Sequence, residues 1–154
     1  MFSGTFSAPS RRVEVLFVDD DADTLFSYQL VATEGGMNVQ LAHDGHEAIA
    51  LASALLPDVV VLDLGLRSED GLNGLEVARQ LHAGERTSSL PIVIVSGSTS
   101  VRDMADVKAS GCEGHLVKPC SADELVKLVT SVGLSGRDRA TALERRSAQA
   151  GSHR

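Results

Sequence analysis

A handful of side chains, far apart in the chain, have the right types to handle a phosphoryl group. Asp19, Asp20 and Asp21 follow one apolar run, Asp63 ends a second, Ser96 ends a third and Lys118 ends a fourth. Carboxylates crowded into one crevice repel each other unless a cation joins them. An all-oxygen ligand set suits Mg²⁺, which keeps several waters and uses one or two carboxylates plus a phosphoryl oxygen. A carboxylate beside such an ion is a competent nucleophile toward phosphorus. A lysine adds a second cation, and a serine hydroxyl donates to a remaining oxygen. On this reading Asp63 takes the phosphoryl group, and Lys118 and Ser96 hold its oxygens. Each residue alone has a plainer explanation: an acid at a strand end caps a helix, Lys-Pro makes a turn, and a serine is solvated. The joint pattern of four run ends carries the argument.

That chemistry needs a fold that gathers the four ends. Val13–Val18 is apolar except for Glu14 and reads as a buried strand. Asp23 is the expected cap of a helix to Glu34, closed by Gly35-Gly36. Asn38–Ala42 is a second strand, and the turn His43-Asp44-Gly45 leads to a helix through Leu55 that Pro57 stops. Asp58–Leu62 is the most apolar strand and runs into Asp63. A loop from Leu64 to Asn73 leads to a helix over Leu75–His82. Pro91–Val95 is the fourth strand, Val101–Ser110 a helix, His115–Val117 a short fifth strand, and Ser121 caps a last helix through Val132. Five strand–helix repeats imply a parallel sheet covered on both faces. Right-handed crossovers make it doubly wound, with ligands expected at the carboxyl ends of the strands.

The net charge of −7 is unevenly spread. Residues 13–134 hold 7 Lys/Arg against 19 Asp/Glu, whereas residues 135–154 hold 5 Arg against 2 acids. An acidic body repels phosphate backbones, so nucleic acid is not an expected partner. No apolar run approaches the ~20 residues needed to span a bilayer. Residues 1–12 lack a secretory apolar core and are expected to be disordered, which makes the cytoplasm the expected location. The domain is expected at 13–133, followed by a charged tail at 134–154, helical or disordered. No DNA-binding output domain fits in that tail, so a single stand-alone domain is expected. Cys112 and Cys120 have no metal-ligand spacing and read as free thiols.

The runs VEVLFVDDD (13–21), PDVVVLDLGL (57–66), GLEVAR (74–79), PIVIVSG (91–97) and GHLVKP (114–119) resemble the response-regulator receiver domains of two-component phosphorelays. The likeness extends over roughly Val13 to Val132. It implies a flavodoxin-like five-stranded parallel sheet in the order 2-1-3-4-5 and a Mg²⁺ cofactor. It implies Asp63 as phosphoacceptor, Asp20 as direct metal carboxylate, Asp19 acting through a water, and the Gly65 carbonyl as a further ligand. Ser96 takes the switch-hydroxyl position, Lys118 the lysine position with a cis bond to Pro119, and His115 the place of the aromatic switch. Gly65 and Ser98 occupy the positions that tune hydrolysis. A histidine kinase or histidine phosphotransfer protein is the implied donor. A downstream protein is expected on the face of helix four, strand five and helix five, with the chain a monomer or weak dimer. Transfer is self-directed, so turnover catalysis is not expected.

Three departures from the family pattern stand out. Arg67 replaces a proline, and the loop RSEDGLN (67–73) is about three residues longer than usual. Histidine, smaller than the usual ring and titratable near neutrality, occupies position 115. Cys120 follows Lys-Pro where phenylalanine is usual. Other functions fit less well. A dehalogenase-type phosphatase wants an acid at 65, a flavin carrier wants a phosphate loop after strand one, and a non-phosphorylated docking domain would not need Asp20, Asp63, Ser96 and Lys118 together.

Overall fold

A computed structural model of the chain describes residues 12–67, 69–97 and 100–135. The strands are β1 (Glu14–Val18), β2 (Asn38–Ala42), β3 (Val59–Asp63), β4 (Ile92–Ser96) and β5 (Gly114–Val117). The helices are α1 (Ala22–Glu34), α2 (Gly45–Leu55), α3 (Gly74–Ala83), α4 (Val101–Ala109) and α5, which runs over 122–135 among the described residues. All strands pair in parallel in the order β2-β1-β3-β4-β5. This is the flavodoxin-like, doubly wound sheet expected from the sequence. Of the expected terminal segments at 1–12 and 134–154, residues 1–11 and 136–154 lie outside the described residues, and α5 continues two residues past the expected end of the domain.

Alternation along the strands divides the core. Leu16, Val18, Val60, Leu62, Ile92 and Ile94 pack with Ala48, Ala52, Val77, Ala78, Leu81 and Val107 from α2, α3 and α4. Val15, Phe17, Val59, Val61, Val93 and Val95 face the other way, onto Leu25, Tyr28 and Ala32 of α1 and Leu125, Val129 and Val132 of α5. β3 and β4 are therefore buried along their whole length, whereas edge strand β2 alternates with solvent. Fully burying an aliphatic side chain contributes about 1.5–3 kcal/mol. The two central strands thus fix the frame on which Asp63 and Ser96 sit. Among the described residues no helix is long and apolar enough to cross a membrane.

Asp21, rather than the expected Asp23, caps α1. Its backbone is extended, and its carboxylate accepts from the backbone N–H of Asp23 and the hydroxyl of Thr24. Asp23 already lies in the first helical turn. Asp44, Asn73 and Ser100 cap α2, α3 and α4, each accepting from the N–H three residues on, and the Ser121 hydroxyl accepts the N–H of Glu124.

Candidate functional site

Register brings the separated residues to one end of the sheet. Val18 lies beside Leu62, and Asp63 beside Val95, so Asp19, Asp63 and Ser96 emerge together. The backbone N–H of Lys118 donates to the Ser96 carbonyl at 2.7 Å, tying the end of β5 to that of β4. The Lys118–Pro119 bond is cis. Oxygens of Asp19, Asp20 and Asp63 lie within 4.8 Å of one another. Lys118 Nζ reaches Asp19 Oδ2 at 3.3 Å and Asp63 Oδ2 at 3.5 Å. Asp63 Oδ1 accepts the N–H of Gly65 at 3.0 Å, and Asp19 Oδ1 accepts that of Asp21 at 2.9 Å.

Burial sorts the acids. Asp19, Asp63 and Ser96 are buried, whereas Asp20 is exposed at the rim. Burial pushes the Asp19 carboxyl above the usual carboxylate range, with the neighbouring Asp63 adding to it, against the opposing pull of the Asp21 N–H and Lys118. Burial works against the charge of Lys118, but Asp63 and Asp19 together outweigh it and hold the ammonium above its ordinary range. A buried acid that resists ionising, a second acid beside it and an exposed third form an all-oxygen donor set that fits a hard divalent cation. Asp20, Asp63 and the Gly65 carbonyl could hold the ion, with Asp19 behind them.

Of the sequence-predicted residues, Asp19, Asp20, Asp63 and Lys118 share one cluster, with Ser96 and Gly65 at the adjoining strand ends. Ser98 lies outside the described residues. His115 is paired in register with Ile94 on β4, in a groove with Met104, Val107 and Cys112 rather than in contact with the acids. Its Nε2 is buried and has no hydrogen-bond partner among the described residues.

Three residues take part in ways the sequence did not show. The N–H of Arg67 donates to Asp20 Oδ2 at 3.4 Å, from the very position where proline is usual and no N–H would exist. Tyr28 lies half a helix away from the acids in sequence, yet it lines a cleft with Lys118, Pro119 and Cys120; burial and the nearby Cys120 push its hydroxyl upward. Gly74 brings α3 against β3, since a Cβ there would lie 2.3 Å from the Asp63 carbonyl oxygen. The absent proline at 67 was a usable signal; the reach of Tyr28 had none in linear sequence.

Known proteins resemble this chain over most of its length. Protein PilH of Pseudomonas aeruginosa is 31% identical over 118 residues, covering 77% of this chain and 95% of PilH. The DNA-binding response regulator MtrA of Mycobacterium leprae is 35% identical over 118 residues, 77% of this chain, and the chain spans 50% of MtrA. The solved chemotaxis response regulator CheY4 of Vibrio cholerae superposes with a TM-score of 0.72 at 28% identity, over 79% of this chain and 99% of that one. The response regulator receiver domain matches residues 15–130, which takes in every strand but the first residue of β1 and all five helices up to residue 130. By that match the chain belongs to the response regulator receiver family of two-component systems.

Proposed function

We propose that the chain accepts a phosphoryl group from a phosphohistidine donor onto Asp63, in a Mg²⁺-dependent reaction, and that the modification switches partner binding. The observation that carries this reading is Lys118 Nζ standing between Asp19 Oδ2 and Asp63 Oδ2 at the edge of the three-acid cluster. Mg²⁺, when bound, neutralises charge on the transferring phosphoryl oxygens. A carboxylate oxygen of Asp63 attacks phosphorus as the P–N bond to the donor imidazole breaks, and the bonding pair leaves with that nitrogen. Lys118 holds charge on the opposite side, and the Ser96 hydroxyl donates to a phosphoryl oxygen. The protein is both catalyst and acceptor, so it modifies itself and does not turn over a substrate.

Receiver domains interact with histidine kinases and downstream effectors. For this chain the proposed donor is a histidine kinase or histidine phosphotransfer protein. The proposed output face is α4–β5–α5, on which Val101 and Val117 are exposed and a groove of about 420 Å³ is lined by Met104, Val107, Cys112 and His115. Ser96 and His115 are the proposed switch residues. The proposed setting is the cytoplasm, as a monomer or weak dimer.

The test is incubation with acetyl phosphate and Mg²⁺ followed by intact-mass measurement. One phosphoryl mass should be gained by the wild type and none by Asp63→Asn, with the variant still folded by circular dichroism. Normal labelling of Asp63→Asn overturns the assignment.

A further inference from the structure

We infer that His46 and Asp70 are positioning residues for the metal carboxylate Asp20, acting through the lengthened loop between β3 and α3, so that Mg²⁺ affinity carries a protonation step at His46. The inference rests on the metal site proposed above.

The loop is built onto α2. Leu72 is buried over Gly45, where a Cβ would lie 2.8 Å from Leu72 Cγ and from Val77 Cγ2. Gly71 turns the chain at a φ of 82°, in the region that favours glycine. Asp70 Oδ1 accepts the N–H of Leu72 at 3.3 Å, and its Oδ2 meets His46 Nε2 at 2.6 Å. At the other end of the loop, the Leu66 N–H donates to the Asp63 carbonyl, and the Arg67 N–H holds Asp20 Oδ2. That bond leaves the other oxygen of Asp20 for the ion and restrains an otherwise exposed side chain. One end of the loop therefore orients a metal carboxylate, and the other is clasped to the start of α2.

The clasp depends on a proton. His46 lies in the first turn of α2, where a cation opposes the helix dipole. Asp70 from the loop and Asp44 from the turn before α2 are the charged groups facing it, and they hold the imidazole above its ordinary range. The neighbouring His43–Glu47 pair, at 3.6 Å, makes no link to the loop. A histidine whose folded value is raised contributes its full share below its unfolded value and loses it as pH rises through the folded one. Loosening the clasp frees Asp20 and weakens Mg²⁺ binding with rising pH. Proton competition at the carboxylates works in the opposite direction, so the comparison must be made between variants at one pH.

The experiment is a MgCl₂ titration of the full chain followed by amide-resolved NMR, at about pH 6 and about pH 8. At the lower pH, His46→Gln should bind Mg²⁺ about two- to fivefold more weakly than wild type, the range an exposed ion pair supports. The Arg67 amide should shift with the loss. At the higher pH the two proteins should converge, and His46→Lys, which keeps a cation, should hold the tighter affinity at both. His46→Gln matching wild type at the lower pH, or His46→Lys behaving like His46→Gln, overturns the inference. Asp20→Ala separates the two readings: if that variant binds Mg²⁺ as tightly as wild type, the metal site itself is wrong, whatever His46 does.

Discussion

Gly65 offers only a backbone to Asp63, and a Cβ built on it would meet Asp63 Oδ1 at 3.5 Å with nothing nearer. Asparagine therefore fits at 65 without displacing the strand end. Positioned groups that orient or deprotonate water typically contribute about 10²–10⁴-fold, and an amide that only orients belongs at or below the low end. Gly65→Asn combined with Ser98→Glu should therefore release phosphate from Asp63 faster than wild type, measured by loss of the phosphoryl mass. Slower release would mean that solvent access past two small side chains governs the lifetime instead. Asp19 makes a second prediction. Its carboxyl is raised above its ordinary value, first by burial, so in the ion-free protein its ionised form costs stability. The cost is absent below the unfolded value and complete above the folded one. In EDTA, Asp19→Asn should raise Tm at neutral pH, and the gain should vanish near pH 3, where the wild-type carboxyl is also neutral. A gain that persists at acid pH would have some other source than relief of charge.

At the scale of elements, α3 is seated against β3 through bare backbone. A Cβ at Gly74 would stand 2.3 Å from the Asp63 carbonyl oxygen and 3.0 Å from Leu64 Cα, both backbone atoms that cannot swing aside. Gly74→Ala should destabilise the fold by about 1–3 kcal/mol, the usual range for forced overpacking. It should also slow labelling of Asp63, because the strand end itself must shift; unchanged Tm and labelling would mean α3 is free to slide. Gly74 was legible as the glycine of GLEVAR, though the reason for it was not, because the close approach joins residues eleven apart in sequence. The cap of α1 shows the same boundary. Composition pointed to Asp23, and only the extended backbone of Asp21 puts the cap two residues earlier. Leu56 was not legible at all. It closes α2 at a φ of 46°, a left-handed position normally given to glycine, and Pro57 then blocks continuation. The extra length of the loop after Asp63 could be counted in sequence, but its docking through Leu72 and Asp70 depends on where α2 begins in space.

Over the whole molecule, a doubly wound parallel sheet and the meeting of Asp19, Asp20, Asp63 and Lys118 at its strand ends were readable from strand apolarity, crossover handedness and the ends of the runs, whereas the strand order came only with the family resemblance. Neither distances nor ionisation could be read that way, since they follow from burial. The described domain is strongly acidic, and three of its acids converge at one end of the sheet. Such a fold should stand without the ion, because its two cores are formed by apolar packing on both faces of the sheet and do not include the acid cluster. Mg²⁺ should then act by mass action alone, adding RT ln(1 + [Mg²⁺]/Kd), about 2.7 kcal/mol at a hundredfold excess over Kd. Thermal melts should show Tm climbing with the logarithm of Mg²⁺ concentration once past Kd, and a clearly smaller rise when NaCl matches the ionic strength, because screening acts on exposed charges over the whole surface. Asp20→Ala should retain the NaCl response and lose most of the Mg²⁺ response. EDTA should lower Tm only to the ion-free value, with the far-ultraviolet circular dichroism unchanged at 25 °C; unfolding on chelation would make the ion a structural component and contradict the independence of the two apolar cores.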